Sequence, residues 1–258
     1  MLTYEYRFYP KQDDDEFIKE YLSDVNDFIA SLIQNGLVLE EGQNTIRHEN
    51  VFACRMIAPE KSSLDSAHHN KYNREFLEIV LQNSALPPVY ECIGENYDVP
   101  DCCDCENPSH YVLYTSYDSS APPIICGDCH DPVPLYKFPK TYDDSEYYDV
   151  LGWKRVYRAC DIQFMKGMGE RHGYYMIHSP KSTLSKEGML ICRFLEDATG
   201  KPFFYFLYDF YQKQNKQKCP SCGEDWVNQD MTRYNYDYVC SRCQLISNRL
   251  KSGIERVI

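Results

Sequence analysis

The sequence lacks the features that mark membrane and secreted proteins. No run approaches 18 consecutive apolar residues and the mean hydropathy is −0.57, which argues against a membrane-spanning helix. The first residues show no basic segment followed by an apolar one, so no secretory signal is visible. We therefore expect a cytoplasmic protein without a membrane partner.

Sequence motifs of common catalytic sites are also missing. The chain contains no GxxxxGK[ST] phosphate loop and no GxGxxG, HExxH or GxSxG motif. His68 and His69 are adjacent, so they would not share one face of a helix, and His172 and His178 flank two tyrosines without an obvious nucleophile. These absences predict that the protein is not an enzyme.

Cysteine is abundant: the 258 residues include 13 cysteines. Eight of them form four CxxC pairs, and the two pairs of each set are separated by 20 and by 17 residues. This spacing is typical of four-cysteine zinc sites. The predicted ligands are Cys102, Cys105, Cys126 and Cys129 at a first site and Cys219, Cys222, Cys240 and Cys243 at a second.

Two structural Zn²⁺ ions are therefore the expected cofactors. Two cysteines separated by two residues can turn both sulfurs toward one ion, and four thiolates leave it no open position for catalysis. Disulfides are the rival interpretation, and they need an oxidising compartment. At the first site Cys103 and His130 remain alternative ligands, because each is adjacent in sequence to a predicted one.

The N-terminal residues 1–95 have the pattern of a ferredoxin-like α/β sandwich. Alternating apolar residues predict a strand over 2–8, and helical spacing follows Asp13–Asp15 and ends at Gly36. Strands are predicted over 38–46, 51–57 and 89–93, with a helix over 72–81 before the last of them. The order β-α-β-β-α-β is that of a ferredoxin-like fold.

The rest of the chain divides into three further parts, which gives an α+β fold class overall. Residues 96–142 form a four-cysteine zinc-knuckle module, 143–212 a second α/β part, and 213–258 a C-terminal zinc ribbon. The run Phe203–Tyr208 is apolar on both faces and predicts a buried strand.

One stretch resembles a known family. The segment RFLEDATGKP at 193–202 leads into the aromatic strand, and CPSCGEDW at 219–226 is followed by YDYVCSRCQLISN at 236–248. These residues resemble a bacterial zinc-ribbon-containing family of unknown function, to which nucleic-acid binding has been ascribed. The resemblance is strongest over 185–250 and implies that the four cysteines of the second site bind metal. The nucleic-acid ascription rests on the ribbon alone, which is fold-level analogy.

The formal net charge of −12 points to a protein partner. An acidic surface repels nucleic acid and attracts a basic protein, so we expect an antidote of the immunity-protein type, or an adaptor, that engages a basic toxin or nuclease. The 23 tyrosines suit such an interface. The candidate contact residues are Asp13, Asp14, Asp15, Glu16, Asp143, Asp144 and Glu146.

Nucleic-acid binding through the ribbon is the alternative. Residues 211–258 carry eight basic and five acidic side chains, so this segment is weakly basic while the remainder is strongly acidic. A phosphate-binding surface needs several clustered cations. The residues able to form one are Lys213, Lys216, Lys218, Arg249 and Lys251.

Overall fold

The computed structural model describes residues 1–211, 217–230 and 234–248. The chain forms two compact units. Unit 1 comprises Met1–Cys102, Ser120–Pro122 and Pro134–Tyr148. Unit 2 comprises Cys103–Ser119, Pro123–Val133 and Asp149–Ile258.

Unit 1 is a four-stranded antiparallel sheet with two helices. Its elements are β1 (Leu2–Pro10), α1 (Asp15–Gln34), β2 (Asn44–His48), β3 (Val51–Ala58), α2 (Lys71–Gln82) and β4 (Ser84–Glu95). The strand order is β2-β3-β1-β4, and every neighbouring pair is antiparallel. This topology confirms the predicted ferredoxin-like arrangement.

Helix α1 begins and ends as the sequence predicts. The carboxylate of Asp14 caps the helix by accepting a hydrogen bond from the N–H of Phe17 at 3.0 Å. At the other end Gly36 adopts φ +73°, a conformation that glycine reaches without strain. None of the described helices is both long and apolar enough to span a bilayer.

A buried polar network joins the end of α1 to the start of α2. Asn35, the C-cap of α1, donates to the side chain of Asn73 at 2.5 Å, and Asn73 donates to Ser31 at 2.8 Å. Asn73 also completes a reciprocal capping box with Asn70 at the start of α2. The acidic N-terminus of α1 therefore lies at the opposite end of the helix from this network.

Strand β2 differs from its prediction. It begins at Asn44, whereas the sequence predicts a strand from residue 38. Val38 and Leu39 are buried outside the strand, and the N–H of Leu39 donates to the carbonyl of Ile57 at 2.8 Å. Leu39 belongs to an apolar cluster with Met1 and Ile57. The apolar residues at the start of the predicted strand are therefore buried and do not pair in the sheet.

Strand β4 is longer than predicted, because Pro87 and Pro88 lie inside it. A proline cannot donate to a ladder, so prolines within sheets are confined to edge strands and bulges. Strand β4 is an edge strand, and its pairing with β1 shifts register between Arg7 and Tyr9.

Among its described residues, unit 2 combines three helices with a five-stranded mixed sheet. Its elements are β5 (Tyr111–Leu113), β6 (Ile124–Cys126), α3 (Tyr148–Met165), α4 (Glu170–His178), α5 (Thr183–Thr199), β7 (Phe203–Phe206), β8 (Tyr238–Cys240) and β9 (Leu245–Ser247). All four residues of β7 are buried, as the apolar run predicts. Helix α4 was not predicted.

The sheet of unit 2 has the order β6-β5-β7-β9-β8. Strand β5 pairs in parallel with β7, and β7 pairs in parallel with β9. Segments that the sequence assigns to three separate parts therefore share one sheet. The structure differs here from the predicted division at residues 142 and 212, because local spacing in the sequence does not report parallel pairing between distant strands.

Unit 1 contains a buried histidine that should make its stability depend on pH. His69 is 7% exposed, its ring contacts Phe28, and its Nε2 has no hydrogen-bond partner among the described residues. Burial lowers the pKa of His69 below its ordinary value of 6.5. Below pH 6.5 this histidine is protonated in the unfolded chain but remains neutral in the folded unit. The free energy of unfolding therefore falls as the pH drops below 6.5.

We expect His69→Leu to reduce this loss of stability. The measurement is the free energy of unfolding in urea at pH 7.5 and pH 5.5 for both proteins. Acid release of metal affects both proteins alike and cancels in the comparison. An identical pH dependence in the variant would show that His69 is not the group responsible.

Candidate metal centres

The first cysteine cluster consists of Cys103, Cys105, Cys126 and Cys129, whose sulfur atoms all lie within 4.8 Å of one another. This group could hold a metal ion. It corrects the predicted ligand set, because Cys103 takes the place of Cys102. Cys103 and Cys105, which precede the pair Cys126 and Cys129 in the sequence, therefore form a CxC pair instead of the predicted CxxC pair.

Cys102 has a different environment. It packs against the apolar cluster of unit 1 that includes Met1, Leu39 and Val99. Burial raises the pKa of its thiol to about 12, but burial also raises the pKa of Cys103, so it is the packing against this cluster that distinguishes Cys102. It is therefore Cys103, and not Cys102, whose sulfur lies in the first cluster.

The loop from Cys126 to Asp131 is folded into a tight knuckle. The N–H of Cys126 donates to the carbonyl of Asp131 at 2.9 Å, and the N–H of His130 donates back to the carbonyl of Cys126 at 3.0 Å. The N–H of Asp128 points at the Cys126 sulfur, 3.4 Å away. Burial raises the pKa of Cys126, but hydrogen bonds from the N–H groups of Cys129 and Asp128 and with the thiols of Cys103 and Cys129 together outweigh it, so this pKa is lowered.

The second cluster contains the four predicted cysteines, Cys219, Cys222, Cys240 and Cys243, within the same 4.8 Å limit. The sulfurs of Cys222 and Cys240 are 3.7 Å apart. Two sulfurs each about 2.3 Å from the centre of a tetrahedron are separated by about 3.8 Å, so this spacing fits a four-sulfur metal site.

The knuckle of the second cluster repeats the hydrogen bonds of the first. The N–H of Cys219 donates to the backbone carbonyl of Glu224 at 2.7 Å, and the N–H of Gly223 donates to the backbone carbonyl of Cys219 at 2.9 Å. The backbone N–H of Glu224 lowers the pKa of Cys222. In all three CxxC knuckles the residue after the second cysteine has a positive φ: 66° at His130, 77° at Gly223 and 54° at Gln244.

His130 is not one of the four clustered ligands. Its left-handed backbone closes the knuckle, and its ring contacts Tyr236 at a centroid distance of 6.0 Å. The alternative that His130 replaces a cysteine therefore has no support in the geometry. The histidine is half-buried.

His110, which the sequence analysis missed, packs directly on the first knuckle. It is 1% exposed, and its ring contacts Phe204 and Tyr234. A Cβ added to Gly127 would lie 2.2 Å from its Nε2, so the backbone of the knuckle rests on the imidazole. No sequence signal marks this contact, because it depends on the approach of β5 to the loop after β6.

The segment RFLEDATGKP has a structural role at the second cluster. Glu196 of α5 accepts hydrogen bonds from the N–H of Phe203 at 3.1 Å and from the side chain of Gln244 at 2.7 Å. Gln244 directly follows Cys243. Glu196 therefore connects α5 and the central strand β7 to the last knuckle.

The predicted acidic contact residues form two separate groups in unit 1. Asp14 caps α1, Asp15 and Glu16 lie in its first turn, and Asp13 pairs with Arg47. At the other group Asp143 accepts hydrogen bonds from Lys71 and Tyr72 at the start of α2, and Asp144 and Glu146 follow it. Because α1 has 20 residues, the groups lie about 30 Å apart and do not form one patch.

The predicted basic contact residues lie mostly outside the described residues, as Lys213, Lys216, Arg249 and Lys251 do. Lys218 is described, and its ammonium pairs with Asp225 at 2.9 Å. Arg242 of the same region pairs with Glu224. The described part of the ribbon thus balances its cations with carboxylates.

Comparisons with known proteins match two family models to adjacent parts of the chain. Residues 105–208 match the family model described as "Domain of unknown function (DUF2310)", and residues 210–250 match "Domain of unknown function (DUF8594)". An uncharacterized protein of Haemophilus influenzae is 30% identical over 202 residues, which cover 76% of this chain and 77% of the relative. The chain belongs to the same family as this Haemophilus protein. A second uncharacterized protein of that organism is 30% identical over 164 residues, covering 62% of this chain and 80% of the relative.

Two solved structures show a weaker likeness over 37% of this chain. One is titled "Crystal structure of antibiotic biosynthesis monooxygenase" (12% identity, TM-score 0.30, 99% of that chain covered). The other is titled "Crystal structure of a conserved protein from Methanosarcina mazei Go1" (10% identity, TM-score 0.30, 95% covered). TM-scores this low support no conclusion about fold or activity.

The adjacent cysteines 102 and 103 provide a matched test of the first cluster. Cys103→Ser should lower the metal content of the purified protein from two ions per chain to one, because a hydroxyl replaces one of four thiolate ligands. Cys102→Ser should retain two. Inductively coupled plasma mass spectrometry of gel-filtered protein measures this, and loss of metal in Cys102→Ser alone would restore the original ligand set.

Gly127→Ala should destabilise the first knuckle, since the new methyl group must displace His110. Overpacking of this kind costs about 1–3 kcal/mol. The control is Gly152→Ala in α3, where a Cβ meets nothing within 4 Å and helix propensity predicts a gain of up to about 1 kcal/mol. Thermal unfolding and the rate of metal release to a chelator measure both variants. Equal behaviour would contradict the contact between His110 and the knuckle.

Proposed function

We propose that the protein is a non-catalytic binding protein, in which two zinc ions stabilise unit 2 and the acidic unit 1 engages a basic protein partner. The observation that carries the proposal is the division of charge between the units. Unit 1 contains 10 Lys and Arg against 22 Asp and Glu, whereas unit 2 contains 17 of each. The whole formal net charge of −12 therefore belongs to unit 1.

Zinc is the metal that suits the clusters best. Four cysteine sulfurs at tetrahedral spacing, supplied by knuckles with N–H groups directed at sulfur, are the usual ligand set of structural Zn²⁺. With all four positions taken by thiolates, such an ion has no place for substrate or activated water. It contributes to folding and not to a reaction.

Zinc also affects the electrostatics of unit 2. Four thiolates around one divalent cation leave a charge of about −2 at each site. The loaded unit would then be mildly acidic rather than neutral. This weakens the alternative of nucleic-acid binding through the ribbon, because phosphate recognition depends on an excess of cations.

Helix α1 provides the most continuous acidic surface in unit 1. Successive turns present Glu16, Glu20, Asp24 and Asp27, and Lys19 is the one basic residue of the helix. Glu16, Glu20 and Asp27 are exposed on the side away from the apolar residues that face the sheet. Asp24 is half-buried and accepts a hydrogen bond from Asn83 at 3.0 Å. A basic partner would gain association rate from this surface, and the gain would fall with added salt. A toxin or nuclease blocked by an immunity-type antidote is the partner class we favour.

The test compares two charge reversals of equal size. Glu20→Lys with Asp27→Lys alters the exposed face of α1, and Glu187→Lys with Asp197→Lys makes the same net change on exposed positions of α5 in unit 2. Each tagged, zinc-loaded protein is used for affinity capture from its native cells at moderate salt, with and without nuclease.

We expect the unmodified protein and the α5 variant to recover one basic protein in stoichiometric amount, unaffected by nuclease. The α1 variant should recover at least about tenfold less, which corresponds to about 1.4 kcal/mol. An equal loss of recovered basic protein in both variants would indicate that binding depends on the net charge of the protein and not on a specific surface. Recovery of nucleic acid, or partners lost on nuclease treatment, would favour the ribbon.

A further inference from the structure

The sheet of unit 1 has one face that its helices do not cover. Tyr4, Tyr6 and Phe8 of β1 are buried on the helix side, so the alternate residues of β1 point to the other side. The ladder register places residues of all four strands in rows on this second face, which we call the open face. One row is Ile46, Ala53, Arg7 and Val89, and the next is Asn44, Arg55, Glu5 and Glu91.

Apolar side chains are exposed at both edges of the open face. Ile46 on β2 is 48% exposed, Val89 on β4 is 49% exposed, and Leu86, which pairs with Tyr9, is 59% exposed. Ile46 lies on one edge strand and Val89 and Leu86 on the other, with β3 and β1 between them. Exposed apolar side chains of this kind are suited to burial against another protein. At one end of the face Ile57 is already covered by Leu39 and its neighbours, so the available area begins at the row of Arg55.

The charges of the open face balance one another. Glu5 pairs with Arg7 at 2.9 Å and with Arg55 at 3.5 Å, and Arg7 also pairs with Glu91 at 3.6 Å. Two carboxylates and two guanidinium groups give these four side chains a net charge of zero, in a unit whose formal charge is −12. Two copies of this acidic protein repel through most of unit 1, and this face is an exception. The alternating positive and negative charges of the open face are also complementary to those of the same face on a second copy.

The area of the open face limits how strongly two copies could bind through it. Three rows about 6.6 Å apart on four strands about 4.8 Å apart give roughly 400 Å² of projected area per copy. Long Arg and Tyr side chains raise the accessible area above this value, so two copies would bury on the order of 1,000 Å². This is the lower limit of specific interfaces and corresponds to a weak dimer.

We propose that the open face of unit 1 binds the same face of a second copy of the chain. The inference is independent of the proposed basic partner, because it concerns the sheet and not the acidic helix α1. The two contacts should also respond to salt in opposite ways. Salt screens the repulsion between two acidic copies and strengthens the dimer, whereas it weakens the attraction of a basic partner.

The test is sedimentation velocity of the zinc-loaded full chain from about 1 to 300 µM at low and high salt. We expect a concentration-dependent species of twice the 30.3 kDa chain mass, with a dissociation constant of micromolar order that falls at high salt. Val89→Lys and Ile46→Lys should each raise this constant at least about tenfold, because an ammonium group would lie unpaired in the interface.

The matched control is Leu190→Lys on α5 of unit 2, which replaces a leucine that is 54% exposed. It should leave the dimer unchanged. Circular dichroism and metal content verify that every variant is folded. A protein that stays monomeric at about 300 µM would overturn the proposal. So would a dimer that persists in both open-face variants or is lost in the control.

Discussion

The approach of four sulfur atoms to one point is the interaction on which unit 2 depends. Of the five strands that the structure describes in unit 2, four are three residues long and β7 has four residues. Hairpins this short are not stable alone in water. One cluster includes Cys126 at the end of β6, and the other includes Cys240 at the end of β8, so the two clusters lie at the two edges of the sheet. Metal bound at these edges would supply the stability that the short strands lack.

Different features of the sequence stabilise the two units. Unit 1 relies on amphipathic helices against a longer sheet, and it can therefore tolerate a large excess of carboxylates on its outer surface. Unit 2 relies on its cysteine clusters and a buried aromatic strand, and its charges are balanced. This separation places the excess of negative charge on the unit that contains neither cysteine cluster. It is the physical reason for the proposal that unit 1 binds the partner.

Local chemistry explains which features could be predicted from the sequence. Cap residues, period-2 alternation and CxxC knuckles act over a few residues, so α1, the β-α-β-β-α-β order and the second cluster were predicted correctly. The choice between Cys102 and Cys103 depends on which of them packs against the apolar cluster around Met1 and Leu39, and no local sequence pattern indicates that. The shared sheet and His110 depend on contacts between segments almost 100 residues apart, such as the parallel pairing of β5 with β7.

X-ray absorption at the zinc K edge of the purified protein would test the central claim most directly. Closed structural sites predict four sulfur neighbours per zinc at about 2.3 Å and no oxygen or nitrogen ligand. That result would agree with a protein that works by binding. A nitrogen or oxygen neighbour at about 2.0–2.1 Å would reveal a site with an open or exchangeable position, and it would contradict the assignment of both metals to structure.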